Sequence, residues 1–209
     1  MRVIAGSAGG IHLEVPKRGV RPTMDRVKAA MFSSLADKVI GARVLDLFAG
    51  SGGLGIEALS RGATSCLFVD NDREAITAIE RNLKKSKTEA KTRQQDVFDF
   101  LERQSASNRL DSLGQFDLIF ADPPYEKMDS GDKYTDKLLT NDVLPQLLAT
   151  DGIFILEKRP EETVPGMPLW NIIRQKAYGA TEVLFLEKWH RRPADDLTGP
   201  SASGRCHEE

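Results

Sequence analysis

The sequence predicts an α/β protein: a doubly wound, mostly parallel seven-stranded sheet with helices on both faces. Three observations carry that reading. Apolar runs of strand length alternate with segments patterned at the helical period, the rhythm of a sheet built from crossover units. Gly50, Gly52 and Gly55 satisfy G-x-G-x-x-G between a strand and a helix, the context that spacing requires. The apolar run Leu118-Ile119-Phe120-Ala121 stops abruptly on Asp122-Pro123-Pro124-Tyr125. In open sheets of this kind, ligands bind at the carboxyl ends of the strands.

The elements follow in order. Val3-Ile4-Ala5 and Ile11 to Val15 flank a glycine-rich turn and read as a small β-hairpin. Pro16 to Pro22 is a basic connector, after which Thr23 caps a helix to about Ala36 with Val27, Ala30, Met31 and Leu35 on one face. Arg43–Phe48 is the first strand of the main sheet, and Ile56–Arg61 the helix that Gly62 ends. Cys66–Asp70 is the second strand; Asn71 with Glu74 resembles a capping box for a helix striped by Ile76, Ile79 and Leu83. Thr92–Val97 reads as a third strand and turn, Phe98–Arg103 as a short helix, and Gln104–Gln115 as a loop. After the Asp122–Tyr125 turn, Glu126–Thr135 has the composition of a mobile segment over a site. A helix spans Asp136–Leu148, with Pro145 as a kink, and Gly152–Glu157 is the fifth strand. Asn171–Ala177 and Thr181–Trp189 form a closing antiparallel hairpin, and the Pro, Gly, Ser and Asp content beyond His190 describes a disordered tail. The chain thus divides into an extension (1–40), a main domain (41–189) and a tail (190–209).

Composition bounds the function. The 209 residues suit one domain with an appendage. Net charge is only −2, but residues 1–28 hold six basic groups against two acidic ones, a basic arm on an acidic body that permits nucleic-acid contact. Two cysteines, Cys66 and Cys206, and three scattered histidines make no disulfide framework and no zinc site. No apolar run approaches a membrane span and no signal peptide is recognisable, so a cytoplasmic, reducing compartment is expected.

The acids cluster by position. Asp70 lies 20 residues after Gly50, the spacing at which a carboxylate grips ribose hydroxyls. Asp96 is a candidate for an adenine amine. Asp122 and the Pro123 carbonyl are two acceptors held by a stiff turn, suited to an –NH2 donor, with Tyr125 a flat face beside them. A nicotinamide cofactor would explain the glycines and Asp70 but leave Asp46 and the Asp-Pro-Pro-Tyr turn without a role. S-adenosylmethionine accounts for all of them, because its ammonium and sulfonium favour carboxylates, Asp46 directly or through water.

On these residues the chain resembles a class I methyltransferase. Arg2-Val3-Ile4-Ala5-Gly6, Arg21-Pro22-Thr23 with Asp25-Arg26-Val27, Asp46–Gly52, Glu57–Ala63 and Asp122–Tyr125 are similar to the bacterial small-subunit (16S) ribosomal RNA guanine-N2 methyltransferases, as is Tyr178-Gly179 followed by Thr181. The likeness spans roughly residues 1–189. It departs at Ile11-His12, where the family commonly has arginines, and at Tyr125, where phenylalanine is frequent and tyrosine is shared with adenine-N6 enzymes. The resemblance implies a monomer with a Rossmann-like fold and S-adenosylmethionine as cofactor. Cofactor contacts would come from Asp46, Phe48, Gly50, Ser51, Gly52, Gly55, Asp70, Asn71, Asp96 and Val97. Asp122, Pro123 and Tyr125 would hold a flipped guanine, and Arg18, Arg21 and Arg26 would meet RNA phosphates on ribosomal RNA or an assembling small subunit. An adenine-N6 methyltransferase and a non-catalytic RNA-binding assembly factor are the alternatives.

Overall fold

The computed structural model describes residues 1–15, 24–105, 113–124, 134–164 and 166–189. Several sequence readings therefore lie outside the described residues: the connector with Arg18 and Arg21, the Thr23 cap, most of the loop 104–115, Tyr125 with most of the segment behind it, and the tail. Seven strands, β1 (Arg43–Leu47), β2 (Ser65–Asp70), β3 (Lys91–Gln94), β4 (Phe116–Ala121), β5 (Leu148–Lys158), β6 (Trp170–Tyr178) and β7 (Thr181–Lys188), form one sheet. Their order is β3-β2-β1-β4-β5-β7-β6. The first five run parallel, while β7 pairs antiparallel with both β5 and β6. The expected sheet is the observed one.

Both faces of the sheet are covered. On one, Val44, Phe68 and Phe120 pack with residues of α1 (Met24–Leu35), α2 (Gly53–Ser60) and α3 (Arg73–Ser86). On the other, Leu45, Val69 and Ile119 pack with α4 (Val97–Ser105), α5 (Tyr134–Leu139) and α6 (Leu144–Leu147). Burial on both faces is why β1, β2 and β4 are continuous apolar runs rather than alternating ones. Val27, Met31 and Leu35 of α1 are buried as their spacing predicts, and Phe32 joins them, its ring 5.6 Å from that of Phe120.

Three local expectations need correction. The helix predicted over Asp136–Leu148 is two helices, α5 and α6. Asn141 Oδ1 accepts from the Val143 and Leu144 N–H groups at 3.0 and 2.9 Å, starting α6, and Leu148 already belongs to β5. Pro145 sits in the first turn of α6, where no N–H is needed, so it opens a helix instead of kinking one. The cap of α3 is Asp72, whose Oδ1 accepts from the Glu74 N–H at 2.8 Å; Asn71 lies outside the helix. The amino-terminal hairpin shrinks to one bridge, Arg2 with His12, because the Ile4 and Ala5 N–H groups turn away from a ladder to the buried Glu57 carboxylate, at 2.7 and 3.1 Å.

The strand order reverses direction of growth at β1, which lies between β2 and β4. Leu47 is level with Val69 on one side and Ala121 on the other. One residue further along, Phe48, Asp70 and Asp122 stand abreast at the carboxyl edge, with neighbouring strands about 4.8 Å apart.

Candidate cofactor and base-binding site

The glycine turn is built inward as much as outward. Gly50 has φ +54°, a left-handed backbone, and a Cβ there would meet nothing closer than the Phe48 carbonyl oxygen at 3.9 Å, so its bare backbone faces open space. Gly55 serves packing: a Cβ would fall 2.3 Å from Phe68 Cε1 and 2.6 Å from Cys66 Sγ. Its N–H donates to Asp46 Oδ2 at 2.9 Å. The third glycine of the motif thus seats α2 on β2, while the first leaves room at the mouth.

Asp70 ties the two strand ends together. Its Oδ2 accepts from the Gly50 N–H at 2.8 Å and its Oδ1 from the Asp72 N–H at 2.9 Å. It therefore fixes the glycine turn as well as presenting charge at the edge. Asp96 caps α4, with Oδ1 accepting from the Phe98 and Asp99 N–H groups at 2.8 and 3.2 Å, and Val97 is buried beneath it. Ser51 is buried in the turn, and Asn71 is exposed at the end of β2.

Asp46 is a strongly perturbed carboxyl. It is buried on β1, and loss of hydration pushes it up to about 8; the Gly55 N–H opposes that push, while the charges of Asp122 and Asp70 add to it. Asp122 is half-buried, directly after β4, with Pro123 buried and Pro124 exposed behind it. Asp122 and Asp70 are both near enough to Asp46 to disfavour its charge. Among the described residues, no group of His, Cys, Asp and Glu has the arrangement of a metal site. Carboxyl groups beside bare glycine backbone fit a small cationic nucleoside derivative, whose charge would favour the ionised form of Asp46, and disfavour a pyrophosphate. The Cys66 thiol, pushed well up by burial and by Asp46, is a packing group.

Phe98 and Tyr134 are two aromatic residues beside the site that the sequence reading did not include. Phe48, which it did include, stands at φ +56° and turns its ring to them, with centroids 6.2 and 5.6 Å away, and the Phe98 and Tyr134 rings lie parallel within 6° at 5.9 Å. A left-handed conformation costs a residue with a Cβ about 1–2 kcal/mol, which here sets an apolar wall at the strand edge. A phenylalanine at the end of an apolar strand gives no sign of a positive φ. The exposed Arg26 sits near the start of α1.

The chain is 39% identical over 197 residues to the Bacillus subtilis protein named "Putative rRNA methyltransferase YlbH", covering 90% of this chain and 99% of that one. It is 32% identical over 182 residues to the Escherichia coli ribosomal RNA small subunit methyltransferase D, covering 86% and 85%. Among solved structures, the one named "Putative methyltransferase yhhF from Escherichia coli" superposes with a TM-score of 0.71 at 31% identity, over 91% of this chain and 99% of its own. The family model described as "Conserved hypothetical protein 95" matches residues 1–187, and the chain belongs to that family, with the class I methyltransferase fold.

Proposed function

We propose that this protein methylates the exocyclic N2 amine of a guanine in small-subunit ribosomal RNA. The observation that carries the reading is the placement of Asp122: a half-buried carboxylate in a proline-stiffened turn, beside the glycine turn and close enough to act on the charge of Asp46. The named relatives support ribosomal RNA as the substrate class.

S-adenosylmethionine is the methyl donor, and when bound it supplies a methyl carbon already activated by a sulfonium. Asp46 and the open backbone at Gly50 would hold its cationic end, Asp70 its ribose, and Asp96 with Val97 its adenine. The residues of the chain then have three tasks. Asp122 and the Pro123 carbonyl accept the two N–H bonds of the amine, which draws the nitrogen lone pair out of conjugation and aims it. Neither Pro123 nor Pro124 carries a backbone N–H, so the turn offers acceptors without a competing donor. Tyr125 supplies a stacking face for the flipped base. Asp122 need not be a strong base, since the amine proton can leave after transfer; most of the acceleration comes from positioning and local charge. Arg26, with Arg18 and Arg21 of the connector, orients the RNA through phosphates.

The test is transfer of labelled methyl groups to small-subunit particles, naked ribosomal RNA and DNA in parallel, followed by nucleoside digestion. Label in N2-methylguanosine from ribosomal RNA is expected. Label in N6-methyladenosine would replace the base assignment, and no label in any substrate would leave an RNA-binding assembly factor as the better reading.

A further inference from the structure

Asn82 lies on α3, fully buried, and no part of the reaction above uses it. Its side chain joins two segments distant in sequence. Nδ2 donates to the Glu14 carbonyl at 2.8 Å and to the Ser51 carbonyl at 2.9 Å, while Oδ1 accepts from the Glu14 N–H at 2.7 Å. Both amide donors are consumed, one on the amino-terminal arm and one on the glycine turn. A second contact runs beside it: the Met1 sulfur occupies the space where a Cβ on Gly53 would be, 2.3 Å from that position, and the Ser51 hydroxyl lies 3.5 Å from it. The arm is held to α2 as well, through Glu57 and through the Ser7 N–H to the Ser60 carbonyl at 2.8 Å.

We propose that Asn82 is a positioning residue that transmits the placement of the amino-terminal arm to the cofactor turn, so that RNA held by the arm and cofactor held by the turn bind cooperatively. The RNA half of this statement rests on the reading that the arm and connector contact RNA. The physical basis is the shared amide. Displacing Glu14 breaks a two-bond clamp whose remaining bond fixes Ser51, and a buried amide stripped of partners does not hold one carbonyl in place. Coupling of this kind is reciprocal: whatever factor RNA adds to cofactor affinity, cofactor adds to RNA affinity.

Three variants and one RNA decide it. Glu14→Pro removes the N–H that Asn82 accepts, together with an exposed ion pair to Arg81 at 3.5 Å, and touches nothing in the turn, whereas Asn82→Ala removes the clamp itself. Leu144→Ala, a core truncation on the opposite face of the sheet, controls for general loss of stability. S-adenosylhomocysteine affinity is measured by titration, with and without a small-subunit ribosomal RNA fragment. Both Glu14→Pro and Asn82→Ala should weaken it about fivefold or more without RNA, with KM for S-adenosylmethionine rising while kcat is kept; Leu144→Ala should leave it unchanged. Wild-type affinity should tighten when the fragment is added, and Asn82→Ala should abolish that gain. Glu14→Pro binding like wild type, or like the Leu144→Ala control, overturns the arm-to-turn link. If either variant fails to fold, hydrogen exchange of wild-type residues 50–55 takes its place: protection on adding the RNA fragment alone is expected, and none overturns the coupling. A fragment that does not bind the wild type at all overturns the RNA reading instead, leaving the arm-to-turn link to be decided by Glu14→Pro.

Discussion

In the proposed reading, Asp46 serves binding at the expense of folding. Its carboxyl titrates near 3.8 when unfolded and is pushed up to about 8 in the native protein, chiefly by burial. Below about pH 4 it is protonated in both states. Between there and about 8 the unfolded chain ionises first, so the contribution of Asp46 to the stability of the ligand-free protein falls as pH rises through that window. Asp46→Asn keeps an acceptor for the Gly55 N–H and removes the penalty. Thermal unfolding should show the variant and wild type alike near pH 4, with the variant more stable at pH 8 by on the order of a few kcal/mol, while its S-adenosylhomocysteine affinity falls. A stability difference independent of pH would contradict the shift. The sequence singled out Asp46 inside a strand and Asp70 and Asp122 at strand ends, and the structure shows that Asp46 and Asp70 also hold the glycine turn and its helix by accepting backbone N–H groups. Asn82 was not: an asparagine among lysines and glutamates on a helix reads as solvated surface, and only its partners 31 and 68 residues away give it meaning.

At the level of elements, the arm, α1 and α2 meet on one carboxylate. Glu57 is fully buried, accepts from Ile4 and Ala5, pairs with Lys28 Nζ at 3.3 Å and receives the Arg61 Nε–H at 2.7 Å. Lys28, itself buried, is held below its ordinary value by burial, with Glu57 pulling the other way. Removing Glu57 would leave that cation without its counter-charge, held by the Arg2 carbonyl at 2.6 Å, and would strand two N–H groups. Glu57→Ala should therefore cost about 3–5 kcal/mol, read by denaturant unfolding, and Lys28→Met clearly less; equal small losses would show the node to be solvated. Sequence reading placed α2 and α1 well but could not see that they share a charge, since opposite charges 29 residues apart carry no pattern. The break between α5 and α6 escaped for a related reason: one apolar run supplied a helix face and the first residue of a strand. A one-turn cap at Asn141 does not show in periodicity. Asn141→Ala should lower stability by about 1 kcal/mol without changing cofactor affinity, and a loss of several kcal/mol would mean that the break supports more than α6.

Across the whole molecule, a net charge of −2 hides a basic amino-terminal segment on an acidic body, and the sheet edge that collects the carboxylates adjoins that segment through Asn82 and Glu57. RNA contact through phosphates is salt-dependent, so Arg26→Ala should weaken binding to all ribosomal RNA fragments alike. It should also reduce the slope of log affinity against log salt by about one. An unchanged slope would return Arg26 to the solvated surface. The seven strands, the closing antiparallel hairpin, the glycine turn and the strand-end acids could be read from the chain because local pattern and fold agree there. The arm's attachment could not, because it is made by long-range polar bonds.

In the proposed reaction Asp122 positions an amine for attack and does not hold the cofactor. The direct measurement is single-turnover methyl transfer by Asp122→Ala, set beside its affinity for S-adenosylhomocysteine. The rate should fall roughly a hundredfold to a thousandfold with affinity within about twofold of wild type. A matching loss of affinity, or a transfer rate near that of wild type, would contradict it.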